Sequence, residues 1–96
     1  MSYERIKTTD EGIDIHIVSP GVELEEIVIN AYSSKLTVYI PETDFFIERK
    51  YVKSFSEMLD VPNTTAELNN GILILSVPYH SAAKPKKINI DNKKLK

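Results

Sequence analysis

Ninety-six residues, 42% hydrophobic and 27% charged, suffice for one globular domain and exclude a disordered chain. The absence of cysteine removes disulfides, thiol nucleophiles and thiolate metal sites together. Net charge is −2 but uneven, with residues 1–48 at −7 (three Lys/Arg against ten Asp/Glu) and residues 49–96 at +5 (nine against four).

In chain order, residues 1–12 read as a short polar lead-in. Ile13, Ile15 and Ile17 then alternate with Asp14 and His16, which predicts a half-buried strand ending at Pro20-Gly21. Glu23 to Glu26 form an acidic turn, residues 27–32 a second strand, and Ser33-Ser34-Lys35 the next turn. Leu36, Val38 and Ile40 alternate again and stop at Pro41. A longer strand is predicted over residues 46–61, with Ile47, Tyr51, Phe55, Leu59 and Val61 facing the core and Glu48, Lys50 and Ser54 facing away. Residues 62–65 break it.

The end of the chain is the most informative part. A short strand at residues 66–68 is joined through Asn70-Gly71 to a strand at residues 72–77 that is apolar on both faces. Asn-Gly between apolar runs is a strong hairpin signal, because both residues tolerate positive φ. A strand apolar on both faces needs cover on both sides. No stretch carries a 3.6-residue apolar stripe of helical length, so the expected fold is all-β, an antiparallel sandwich or small barrel.

Five blocks, in order, resemble the α-crystallin domain of small heat shock proteins, the Hsp20 family. They are Pro20-Gly21-Val22 with Glu25-Glu26-Ile27, Leu36-Thr37-Val38, Phe55 with Leu59-Asp60-Val61-Pro62, Ala66…Asn70-Gly71-Ile72-Leu73, and Lys84-Pro85-Lys86-Lys87-Ile88-Asn89-Ile90. The resemblance covers roughly residues 12–90. It implies an immunoglobulin-like antiparallel β-sandwich, divided as arm 1–12, sandwich 13–80 and C-terminal extension 81–96. It also implies an ATP-independent chaperone that binds unfolded client proteins and assembles with copies of itself. The chain departs from the family's usual pattern in its short N-terminal arm and its short segment between Val38 and Phe55. It departs too in the short link after Pro62, and in Glu57, which stands where an arginine is usual.

The candidate site residues follow from this. Ile88 and Ile90 lie two apart and project to one face of an extended segment, so both can enter apolar pockets while Asn89 stays wet. Residues 81–87 read as a tether, which favours docking on a neighbour over packing as a last strand. By family analogy the acceptor is a groove between the strands at 27–32 and 72–77, where Val28, Ile72 and Ile74 form an apolar stripe. Tyr51, Lys53, Phe55 and Glu57 are the candidate dimer edge. The charge asymmetry favours head-to-tail contact between copies as much as it describes a solvated lysine tail.

Catalysis is not expected. His16 and His80 are isolated, the carboxylates at Asp10, Glu11, Glu23, Glu25 and Glu26 read as solvated turns, and no serine stands in a nucleophile elbow. No Gly-rich loop would hold a nucleotide, so no cofactor is expected. Lys84, Lys86, Lys87, Lys93, Lys94 and Lys96 lack interleaved aromatics, so nucleic acid is not an expected partner. Neither is a membrane, since the apolar runs are short and no signal peptide is seen; a cytoplasmic protein is expected. The alternatives are a co-chaperone module sharing the sandwich, and a dedicated protein-binding partner without general holdase activity.

Overall fold

The computed structural model describes residues 4–81. Seven strands form two antiparallel sheets, with no α-helix among the described residues. They are β1 (Glu4–Thr8), β2 (Gly12–Val18), β3 (Val28–Ala31), β4 (Lys35–Ile40), β5 (Arg49–Ser54), β6 (Thr65–Asn69) and β7 (Ile72–Pro78). One sheet runs β1-β2-β7-β6 and the other β3-β4-β5.

Period-2 alternation places the core. Ile15 and Ile17 of β2 lie opposite Leu75 and Leu73 of β7, and all four are buried. Leu36, Val38 and Ile40 of β4 bring the facing layer, and Ile27 and Val61 join the same cluster. Side chains at i and i+2 share a face, so each strand contributes one apolar row to the space between the sheets. The Asn70-Gly71 hairpin forms as expected, with φ of 51° and 77° at its two central residues. Gly12 is required for a different reason: a Cβ there would stand 2.0 Å from the Val77 carbonyl oxygen.

Two expectations are corrected. The lead-in is not merely polar cover, because residues 4–8 pair along their whole length with β2, Ile6 opposite Ile15. Their own pattern is weak, and the ladder to β2 holds them extended. The long strand predicted over 46–61 is also cut down to Arg49–Ser54. Residues 41–48 form a loop in which Ile47 is 78% exposed and Phe45 72%, so Ile47 does not face the core. After Ser54 the chain turns: the Leu59 amide donates to the Ser56 carbonyl at 3.2 Å, and Val61–Asn63 form a single 3-10 turn around Pro62. Leu59 and Val61 still reach the core, Leu59 through an isolated bridge to Tyr79.

Candidate functional site

A two-sheet sandwich leaves two sides along which strand edges and the seam between sheets meet solvent. Here the two sides differ. On one, Lys53 of β5 makes an ion pair with Glu4 of β1, and both side chains are largely buried. Tyr51, also inward-facing on β5, packs against the core. This contact ties β1 to β5 and closes that seam.

The contact also fixes the other side. With β5 over β1, the strand orders put β3 and β6 at the opposite margin. Among the described residues each pairs with one neighbour, so each offers a row of backbone N–H and C=O groups outward. Their inward rows are Ile29 and Ala31 on β3, opposite Val38 and Leu36, and Ala66 and Leu68 on β6, opposite Leu75 and Leu73. Ile29 and Leu68 are half-buried against the core, whereas Ala31 and Ala66 are exposed although their positions face inward. Small side chains there leave inward positions of both edge strands exposed to solvent.

One end of the sandwich is rich in acidic residues. The Ser19 amide donates to the Gly71 carbonyl at 2.7 Å, and Gly21 lies against the Phe45 ring. The hairpin tip, the segment running on to the Leu24–Glu26 3-10 turn, and the 41–48 loop therefore share one end of the sandwich. They bring Glu23, Glu25 and Glu26 to the start of β3 at Val28, whereas Glu42, Asp44 and Glu48 lie on the connection from β4 to β5. The Tyr39 hydroxyl donates to Glu48 at 2.9 Å. That bond, then partial burial and the charges of Glu48 and Glu42, raise the Tyr39 phenol above its ordinary value. Among the described residues no group of His, Asp and Glu could hold a metal ion.

The predicted site residues fall as follows. Val28 is 50% exposed and points out of the three-stranded sheet, whereas Ile72 and Ile74 point out of the four-stranded one. They lie on opposite faces of the sandwich and line no common groove. The strand carrying Ile72 and Ile74 is central, between β2 and β6, so β6 and not β7 forms the edge of that sheet on the β3 side. Ile29, Ala31, Ala66 and Leu68 were missed. Their signal, apolar residues on the inward phase of two weak strands, becomes visible only once the sheet order is known.

On the expected dimer edge, Tyr51 and Lys53 point inward on β5 and Phe55 packs against the core just past its end. Glu57 sits in an exposed turn beyond β5, not in strand phase with Phe55 and Leu59, because the chain leaves the sheet at Ser54. Ile88 and Ile90 lie outside the described residues.

The arrangement of the two sheets has counterparts among known proteins. The model of the Hsp20/alpha crystallin family matches residues 5–91. The chain belongs to that family. Similar solved structures include a small heat-shock protein from Xylella fastidiosa that has a distinct high order structure. It aligns with a TM-score of 0.73 at 17% identity over 93% of this chain and 94% of that one. Heat shock protein 16.0 from Schizosaccharomyces pombe aligns at 0.67 and 18% identity, covering 92% and 96%. Stress-induced protein 1 from Caenorhabditis elegans aligns at 0.60 and 14%, covering 80% and 62%. At these identities the likeness shows the shared sandwich. No curated protein sequence matches. The family is one of chaperones, and no helix among the described residues is long and apolar enough to cross a membrane.

Proposed function

We propose that this chain is an ATP-independent holdase of the cytoplasm, and that its β3/β6 seam captures apolar, strand-forming segments of partly unfolded proteins. The observation that carries the reading is the exposure of Ala31 and Ala66 at inward positions, between two unpaired strand edges. An extended client segment can add to either edge by backbone hydrogen bonding while alternate side chains enter the seam. Binding the unfolded form lowers its free concentration and slows aggregation, with no bond made or broken and no nucleotide needed. Ile88 and Ile90 of a neighbouring copy are the resident occupant of the same seam, and the open edge of β5 is the dimer contact.

Heat-induced aggregation of a model client, followed without nucleotide, tests this. Ala66→Lys fills the seam with a charged side chain at an exposed position and is expected to abolish protection. Ile74→Lys, on the outer face of the other sheet, is expected to leave it intact. Equal protection by both variants would remove the seam from client binding. No protection by the unmodified chain would leave the dedicated-partner reading in its place. Replacing Ile88 and Ile90 together by Ser is expected to reduce the particle mass.

A further inference from the structure

Away from both seams, one cavity carries chemistry that neither client capture nor sheet packing uses. It opens at the end of the four-stranded sheet where the β1–β2 turn, the start of β6 and the end of β7 meet, with a volume of about 160 Å³. Ile13, Val77 and Pro78 supply apolar wall. Asp14 of β2 lies opposite Ser76 of β7, and Ser76 opposite Thr65 of β6, so a polar row crosses three strands on the outer face and also lines the cavity. Asp14 is half-buried, and among the described residues no hydrogen bond or ion pair reaches its carboxylate or the two hydroxyls. Lys7 stands opposite Asp14 in the ladder without forming an ion pair, and lines a separate hollow with Arg5 and His16.

A half-buried carboxylate beside two hydroxyl oxygens and an apolar wall suits an ammonium on an aliphatic stem. Its three N–H donors meet three acceptors while its methylenes stay dry. Cavities of about 150 Å³ admit a molecule the size of benzene, so a lysine side chain fits. We propose that the occupant is a lysine of residues 84–87 of the same chain. Residues 82–96 carry six lysines against Asp91 alone, whereas residues 1–81 hold six Lys/Arg against thirteen Asp/Glu. Pro78 is part of the cavity wall, and the Tyr79 amide donates to the Glu11 carbonyl at 2.9 Å, so the tail sets out from the cavity's rim. Lys84 follows Pro78 by six residues, about 20 Å when extended, which is ample for a return to the cavity.

Magnitude favours the same chain over a neighbour. One ammonium contact is far too weak to hold two molecules together, whereas within a chain it draws on an effective concentration in the millimolar range. The contact anchors the segment ahead of Ile88 and Ile90 and is independent of what that pair binds.

Zero-length cross-linking of the full chain tests this. A carbodiimide activates the Asp14 carboxyl, and a lysine Nζ in contact displaces the activated group to leave an amide, the carbodiimide taking up the water as a urea. With unlabelled and isotope-labelled copies mixed, the expected product joins Asp14 to Lys84, Lys86 or Lys87 of the same isotopic composition. Trypsin cleavage after Lys86 and Lys87 should quicken severalfold in Asp14→Asn, and equally in Thr65→Lys, which places its own ammonium beside Asp14. The Ile88→Ser/Ile90→Ser chain should give the same cross-link, which separates this contact from docking in the seam. No product at Asp14, a product with Lys7 in place of the tail, or a product joining two copies would overturn the proposal. So would cleavage rates that neither variant changes, or loss of the product when the isoleucines are replaced.

Discussion

The Glu4–Lys53 ion pair distinguishes the closed seam from the open one, and its removal has a calculable consequence. Their side chains are 20% and 27% exposed, so the pair is neither a solvated surface contact nor fully desolvated. At an effective dielectric of about 20, two unit charges 4 Å apart attract by about 4 kcal/mol. Partial desolvation of both ions consumes much of that gain. Glu4→Gln keeps the shape but leaves a half-covered lysine without its counter-charge, a loss of about 1–2 kcal/mol. For a chain of this length that lowers the melting temperature by about 5–15 °C. Lys53→Met combined with Glu4→Leu removes both charges and keeps apolar volume, so the double variant should fall within about 1 kcal/mol of the original. Urea titration of the original, Glu4→Leu, Lys53→Met and the double variant gives the coupling, expected at about 1 kcal/mol or above. An apolar dye should bind Glu4→Gln more strongly, because the β1/β5 seam then opens. Single losses that simply add, each below about 0.3 kcal/mol, would show that the pair does not close this side.

The Tyr39 phenol should titrate above its ordinary value of 10.0, followed by absorbance at 295 nm, and Glu48→Gln should bring it down. Its folded value is raised, so the associated stability is fully present below pH 10 and is lost as pH rises through the folded value; a midpoint unmoved by Glu48→Gln would refute the assigned cause. Gly71→Ala forces an L side chain to φ 77° with its Cβ 3.4 Å from the Pro20 Cα, and should cost about 1–2 kcal/mol in a urea titration. An unchanged midpoint would mean that the hairpin turn relaxes freely.

The strands that were legible in the sequence are those that carry their own alternation. Ile13 to Ile17, Leu36 to Ile40 and Ile72 to Val77 each present a row that only an extended chain can bury on one side, and Asn70-Gly71 fixes the register of the last. β1 escaped because Ile6 is its sole large apolar residue, and its extended form comes from the β2 ladder. The overextended strand at 46–61 had apolar residues on roughly the right phase. Local bonds at Ser56 and the proline at 62 bend the chain before that phase can act. The seam was hidden more deeply. Val28 and Ile74 are large and apolar at polar-phase positions and draw the eye, yet they face opposite solvents. Ala31 and Ala66 carry little hydropathic signal, and their significance is steric: they leave a gap whose existence depends on which strands end up at the margin.

The proposed occupant of that seam is only two isoleucines long, which has an energetic consequence. Burying two such side chains gains about 3–6 kcal/mol. Bringing separate molecules together costs an estimated 4–15 kcal/mol, so a single tail in a single seam is held weakly or not at all. Stable assembly then requires that each copy be held twice, through a tail and through a second contact such as the β5 edge, so that the second event draws on effective concentration. Such an assembly is firm as a whole while each seam exchanges rapidly. A client segment that offers more apolar surface than two isoleucines can displace the tail from one seam without dissolving the rest. A longer apolar tail would defeat this by making the resident occupant permanent. Replacing Asn92, which shares the face of Ile88 and Ile90, with Ile should therefore enlarge or stabilise the particle while lowering protection in the aggregation assay. Higher mass together with higher protection would show that seam occupancy and client binding are independent.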